Sequence, residues 1–204
     1  MRARLPIIAL VALTVSACAG KKKVAKEAEG PSSWEPSSAW SGAGESEAAA
    51  APGKSDGPKE DNGPKLPPPF TAEQIRAATK LGRTFKYRVE GGGEKKERVL
   101  TFTKVDDAGA EIYTGGDRPT KRIGWIVLQK HMEFPQDHAT THEEVTKTPA
   151  GKFNCVVYTV TGDDDEISTY HFAKELPGPP VLFFVSKGGK RLRTNTLIAH
   201  IPGK

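Results

Sequence analysis

Residues 153–161 read FNCVVYTVT, and they are followed by the turn-like GDDD at 162–165 and by ISTYHFA at 167–173. Val, Phe, Tyr and Thr suit a pleated, partly buried strand, whereas Gly and Asp favour turns. The stretch therefore predicts two antiparallel strands joined by a hairpin. This strand pair indicates a domain that is mostly antiparallel β, because similar strand patterns recur before and after it in the sequence.

Five further segments have strand-like patterns bounded by Gly or Pro turns. In the first of them, Phe85, Tyr87 and Val89 alternate with charged residues, which is typical of a half-buried strand. The segment around these residues spans 85–89, and the other four predicted strands are 98–105, 110–113, 181–186 and 191–201.

A helix is predicted to open the domain. Thr71 and Gln74 have the spacing of a capping box, and Phe70 and Ile75 have that of a hydrophobic staple. The helix is expected to cover residues 72–81, after which a glycine provides the C-terminal stop.

A second helix is less clearly indicated. Trp125, Leu128 and Met132 lie at helical spacing, whereas Ile126 and Val127 favour a strand. We interpret the segment as a short helix that ends before the proline at position 135.

These elements predict an α+β domain that is mostly antiparallel β, with a curved sheet or half-barrel wrapped around the N-terminal helix. The element order resembles the lipoprotein-carrier half-barrels of the LolA and LolB type. Residues 149–158, PAGKFNCVVY, and 172–181, FAKELPGPPV, are also similar to uncharacterised β-rich periplasmic proteins. The latter resemblance covers roughly residues 100–204; it implies a fold and provides no catalytic residue.

The N-terminus has the pattern of a secretory signal peptide. Arg2 and Arg4 precede an apolar stretch at 5–15 that is broken by one proline and one threonine. A membrane-spanning helix needs about 20 apolar residues, so this stretch is too short to remain as an anchor. Segments of this length and charge are removed from the mature protein.

Residues 15–18, Val-Ser-Ala-Cys, resemble the bacterial lipoprotein box. That resemblance implies cleavage after residue 17 and acylation of Cys18, with the membrane as a partner through the lipid anchor. The alternative is an ordinary secretory signal followed by a chance cysteine. Ala19 stands where lipoproteins retained in the inner membrane usually have Asp. By resemblance to lipoprotein sorting in bacteria with two membranes, this implies the outer membrane, on its periplasmic side.

Composition divides the remaining chain in two. Residues 18–67 are rich in Ala, Ser, Gly, Pro, Lys and Glu, which predicts a disordered tether between the signal peptide, 1–17, and a single β-rich domain, 68–204. The domain holds 21 Lys and Arg against 17 Asp and Glu, and these charges are scattered. Together with export, this argues against a nucleic-acid partner.

Metal binding is the first site hypothesis. Histidines and glutamates are ligands suited to zinc, but their spacing here matches no metal motif. We therefore predict no metal and no cofactor, and regard the histidines as loop and surface residues. The weak candidates are His131, His138, His142 and His171, with Glu143 or Glu144.

Two further features have simpler structural explanations. The acidic run at 163–166 could bind calcium through oxygen ligands, although a hairpin turn explains the same residues. Cys155 lies among valines, so a buried, inert thiol is favoured over a catalytic one. With Cys18 acylated, Cys155 has no partner for an intramolecular disulfide.

An apolar block remains around Phe172, Leu182 and Phe184. These side chains either pack in the core or line a cleft for a hydrophobic ligand. Because no catalytic set is visible, the sequence predicts a non-enzymatic binding or interaction domain at the envelope, with envelope proteins or a hydrophobic ligand as partners. The alternatives are a lipid or lipoprotein carrier of the half-barrel type and a metal-dependent envelope hydrolase.

Overall fold

The computed structural model describes residues 63–204, except for the side chain of Asp163. The predicted signal peptide, the lipoprotein box with Cys18 and nearly all of the predicted tether lie outside the described residues. Within residues 63–204, no helix is long and apolar enough to cross a membrane.

The described chain forms two short helices and nine strands, which confirms the predicted α+β, mostly antiparallel fold. The helices are α1 (Ala72–Ala78) and α2 (Trp125–Lys130). The strands are β1 (Thr84–Gly91), β2 (Glu94–Val105), β3 (Gly109–Tyr113), β4 (Lys121–Gly124), β5 (Ala139–Thr148), β6 (Gly151–Thr161), β7 (Glu166–Ala173), β8 (Leu182–Lys187) and β9 (Lys190–Ile201).

All nine strands belong to one curved, unclosed sheet in the order β4-β3-β2-β1-β9-β8-β7-β6-β5. The strands β1–β4 and β5–β9 are two meanders that meet where β1 pairs with β9. The chain passes from the β4 edge to the β5 edge through α2 and residues 131–138. This crossing segment therefore lies over one face of the sheet, where Met132 and Phe134 are buried.

Helix α1 begins at the predicted capping box. The Thr71 hydroxyl accepts a hydrogen bond from the Gln74 backbone N–H at 3.2 Å, and the Gln74 side chain accepts one from the Thr71 N–H at 2.9 Å. The helix ends at Ala78, three residues before the predicted end. Thr79 is already extended, and its hydroxyl donates to the Ile75 carbonyl at 2.7 Å, which satisfies a free carbonyl at the helix end.

Helix α2 confirms the helical interpretation of the segment after Gly124. Trp125 and Leu128 are buried, whereas Ile126 and Val127 are 60% and 45% exposed. The mixed sequence pattern arises because α2 places these two β-branched residues on its solvent side.

Strands β4 and β5 were absent from the predicted set. Strand β5 reads ATTHEEVTKT, and only Ala139 and Thr146 in it are buried. An edge strand that is exposed on both faces has no apolar alternation, so its sequence carries no period-two signal. The segment is a strand because it pairs with β6 along its whole length.

The two faces of the sheet follow from the register, because directly opposed residues in antiparallel strands share a face. Tyr158 opposes Tyr170, and Tyr170 opposes Phe183, on the face that the helices cover. Val157 opposes His171, and His171 opposes Leu182, on the other face. We call these the helix-covered face and the opposite face.

Residues 65–67, which precede the predicted domain, contact the crossing segment and strand β6. Lys65 and Pro135 form an isolated antiparallel β-bridge, and the Leu66 N–H donates to the Phe134 carbonyl at 2.9 Å. The Tyr158 hydroxyl donates to the Pro67 carbonyl at 2.6 Å. These contacts place residues 65–67 on the helix-covered face.

Candidate functional site

The three residues of the predicted hydrophobic cleft do not share one site. Phe172 lies on the helix-covered face and is 1% exposed. Its ring packs against Phe70, Tyr158 and Tyr170 at centroid distances of 6.3, 5.8 and 6.2 Å. Leu182 and Phe184 lie half-buried on the opposite face. The structure therefore places Phe172 in the core and separates it from the other two.

Side chains fill the helix-covered face. Ile75 from α1, Leu128 from α2, and Met132 and Phe134 from the crossing segment are buried in one hydrophobic cluster with the sheet residues. A carrier of the half-barrel type needs an apolar cavity on this face. The burial of these side chains in one cluster gives the carrier hypothesis no support.

The four candidate histidines are dispersed. His131 caps the C-terminal end of α2, and His138 lies exposed beside Asp137. His142 and His171 both lie on the opposite face, with Val157 between them. Within residues 63–204, no three or more His, Cys, Asp or Glu side chains are arranged to hold a metal ion.

His171 belongs to a polar cluster that the sequence did not reveal. Its Nδ1 lies 2.9 Å from Thr146 Oγ1 and 3.1 Å from Glu144 Oε1, and the Thr146 hydroxyl can donate to the same carboxylate. Thr146 and Glu144 are on β5, whereas His171 is on β7, with β6 between them. Strands β5 and β6 must therefore coil strongly over the opposite face, as long two-stranded ribbons do.

The cluster leaves one ring nitrogen unsatisfied. His171 is 5% exposed, and its Nε2 is buried without a hydrogen-bond partner. Because a carboxylate only accepts, the proton of the neutral ring is assigned to Nδ1. Protonation of Nε2 would then place an N–H donor in a buried position that offers it no acceptor, which is costly.

Acid should destabilise this domain. Burial lowers the pKa of His171, with the Glu144 carboxylate opposing the shift and His142 and Arg191 adding to it. Burial also lowers the pKa of His131 and, together with Arg83, that of His200. The unfolded chain therefore binds more protons than the folded chain as the pH falls through about 6.5, the unperturbed histidine value. We expect the free energy of unfolding to decrease between pH 7.5 and pH 5.

Urea denaturation across that pH range measures the effect, with His171→Asn as the test variant. Asn cannot titrate there, so the variant should show a shallower pH dependence than the wild type. Asp106 does not interfere, because its hydrogen bond to Arg122 lowers the pKa of that carboxyl to about 2. A domain that becomes more stable as the pH falls from 7.5 to 5 would contradict the assignment.

Cys155 lies in β6, and the acidic run lies between β6 and the start of β7. Cys155 is 1% exposed, and burial raises the pKa of its thiol. The acidic residues after Gly162 form a tight turn that joins β6 to β7, with Asp164 and Asp165 at φ 58° and 59°. Asp tolerates this left-handed backbone better than most residues.

A buried arginine fixes the proline-rich connection before β8, and no sequence signal indicated it. Arg83 is 2% exposed and donates to the Pro177 carbonyl at 2.7 Å and to His200 Nε2 at 3.2 Å. Its guanidinium lies 4.7 Å from the centre of the Phe85 ring. Burial lowers the pKa of Arg83 to about 10, so the side chain remains charged at neutral pH.

A shallow groove lies where α1, the β2–β3 turn and the start of α2 meet; we call it the helix groove. It encloses about 410 Å³ and opens to solvent. An ion pair between Arg76 and Asp107, 2.6 Å apart, forms part of its rim. The residues lining the groove are Ala72, Glu73, Arg76, Asp107, Ala108, Gly124, Trp125 and Ile126.

The indole of Trp125 supports the floor of the groove. Its Nε1–H donates to the Asp106 carbonyl at 3.0 Å, and Asp106 pairs with Arg122 at 2.7 Å. Exposed Ile126 and Ala108 provide apolar surface beside these charges. The arrangement can accept an apolar side chain and has no deep enclosure for a cofactor.

No family model matches this chain, and no curated protein sequence matches it. Among solved structures, the crystal structure of MucB is similar to it with a TM-score of 0.45 at 13% sequence identity. The match covers 64% of this chain and 56% of the MucB chain, so it spans little more than half of that protein's length.

Proposed function

We propose that this chain is a lipid-anchored lipoprotein of the bacterial envelope, held in the outer membrane on its periplasmic side, whose domain binds another envelope component without catalysing a reaction. The observation that carries the proposal is the sequence Val-Ser-Ala-Cys at 15–18, which follows a short apolar segment with a basic start. Stable anchoring requires two or more acyl chains or an equivalent second signal. A triacylated cysteine would meet that requirement.

The chemistry of the described domain is consistent with binding rather than catalysis. The thiol of Cys155 is buried and its pKa is raised, whereas reactive thiols are accessible and have a lowered pKa. His171 is also buried, and its ring is engaged with Thr146 and Glu144. Neither group can reach a substrate without opening of the fold.

The helix groove is the surface that best supports a binding role. Protein-contact surfaces combine an apolar centre with a polar rim. Here Ile126 and Ala108 supply the exposed apolar atoms, and the Arg76–Asp107 pair supplies the charged rim. Because the groove is shallow and open, it suits one apolar side chain of an envelope protein better than a whole small molecule.

Site-specific photo-crosslinking in cells tests this role. A photoreactive residue at Ile126 should give a discrete adduct with an envelope protein. The same residue at Lys86, which is exposed on strand β1 away from the helices, is the matched control and should give none. Equal adducts at both positions, or adducts with lipid alone, would overturn the assignment of the groove. Robust hydrolase activity of the purified chain would overturn the non-enzymatic role.

A further inference from the structure

The two edges of the sheet differ in how well they are protected from further pairing. At one edge, β4 has four residues and continues directly into α2. At the other, β5 has ten residues, pairs with β6 without a register shift and contains no proline. Residues 140–145 of β5 are all exposed. A long, regular edge strand presents free backbone N–H and C=O groups to another strand.

The side chains of β5 are complementary to a second copy of themselves. Glu143, Val145 and Lys147 project from the same face, because side chains alternate along a strand. In an antiparallel pair centred on Val145, the two valines oppose each other. Glu143 of each copy then opposes Lys147 of the other, so the pair carries two matched charge contacts.

Neighbouring registers lack this complementarity. Centring the pair on Glu143 or Glu144 places two identical carboxylates opposite each other, which is unfavourable. Centring it on Thr146 opposes Val145 with Lys147 and leaves Glu143 without its cation. Each possible pair is centred on a residue, because opposed residues of the two strands must lie on the same face of the joined sheet. The charge pattern therefore selects the pair centred on Val145.

We propose that two copies of this chain associate through antiparallel pairing of their β5 strands about Val145, which joins two nine-stranded sheets into one. The contact area of one strand pair is small, so the dimer should be weak in solution. Tethering both copies to one membrane would raise their effective concentration. That last step rests on the proposed lipid anchor, whereas the pairing itself does not.

Glu143 also has a partner within its own chain, since Lys174 Nζ lies 2.6 Å from Glu143 Oε1. The proposed pairing brings a second ammonium group to the same carboxylate from the open side of the strand. Replacement of Lys174 therefore provides a control that removes the internal ion pair and leaves the proposed contact intact.

Sedimentation equilibrium of the chain from Ala19 to Lys204, which lacks the acylated cysteine, tests the proposal from micromolar to near-millimolar concentration. The nine described strands pair into one sheet with its own hydrophobic core within residues 63–204, so this chain should fold without the anchor. Wild type should dimerise. Glu143→Lys and Lys147→Glu should each weaken the dimer about tenfold or more, because each creates two like-charge pairs across the contact.

The double variant E143K/K147E exchanges the charges across the contact and should restore the dimer when it is combined with K174S, which removes the ammonium group beside position 143. K174S should dimerise at least as well as the wild type. A wild type that remains monomeric throughout the range overturns the proposal, as does a combined E143K/K147E/K174S variant that is as weak as the single charge variants. Because the measurement uses unlipidated protein, its outcome is independent of the lipid anchor.

Discussion

Replacing Phe172 with alanine should lower the free energy of unfolding by about 3–5 kcal/mol, the usual cost of removing a buried phenylalanine. Phe172 is almost fully buried. Its ring packs against Phe70, which precedes α1, and against Tyr158 and Tyr170 of the sheet. The remaining cavity would be walled by aromatic rings from three parts of the chain, which cannot all collapse into it. Urea denaturation of the chain from Ala19 onward measures the loss.

Phe184→Ala is the matched control. Phe184 is half-buried on the opposite face, where the Arg191 guanidinium lies 4.1 Å from the centre of its ring. Burial of half the side chain predicts a loss of only about 1–1.5 kcal/mol. Equal losses for the two variants, or a loss of about 1 kcal/mol or less for Phe172→Ala, would contradict the assignment of Phe172 to the core. Such a result would favour the alternative that Phe172 lines a cleft for a hydrophobic ligand.

Replacing Cys18 with alanine should remove the protein from the outer-membrane fraction almost completely. The variant retains the basic start and the apolar segment of the signal peptide, so export should continue. Without acyl chains, the scattered charges of the domain offer no strong alternative attachment to a bilayer. The protein should then appear in the soluble periplasm, or remain uncleaved at the inner membrane if the processing peptidase requires the cysteine.

Fractionation of cells with separation of inner and outer membranes measures this outcome. Cys155→Ala is the matched control, because it removes the other cysteine of the chain and leaves the proposed acylation site intact. It should fractionate like the wild type. A Cys18→Ala variant that remains in the outer membrane would show that another part of the chain holds it there.

The sequence was most informative where neighbouring residues determine the structure. The capping box at Thr71 and Gln74 formed as predicted, because both hydrogen bonds are made within one turn. The strand pair around the turn at 162–165 also formed as predicted, since two apolar strands flank a turn rich in Gly and Asp. These features depend on local propensities, which a single sequence contains.

Features made by distant parts of the chain could not be predicted. Strand β5 has no apolar period, since its position at the edge leaves both faces exposed, and it was missed. The contact between Thr146 and His171 depends on the coiling of β5 and β6 over the sheet. The burial of Arg83 against Pro177 and His200 joins positions about a hundred residues apart. Each depends on tertiary packing, which overrides local preference.

Mass spectrometry of the mature N-terminus, on wild-type protein extracted from the membrane fraction, tests the central claim most directly. The proposed lipoprotein predicts that the chain begins at Cys18, that the N-terminal peptide carries acyl chains, and that metabolic labelling with a fatty acid marks the same peptide. A mature chain that begins elsewhere, or an N-terminal peptide with an unmodified Cys18 and no label, would contradict the proposed anchor.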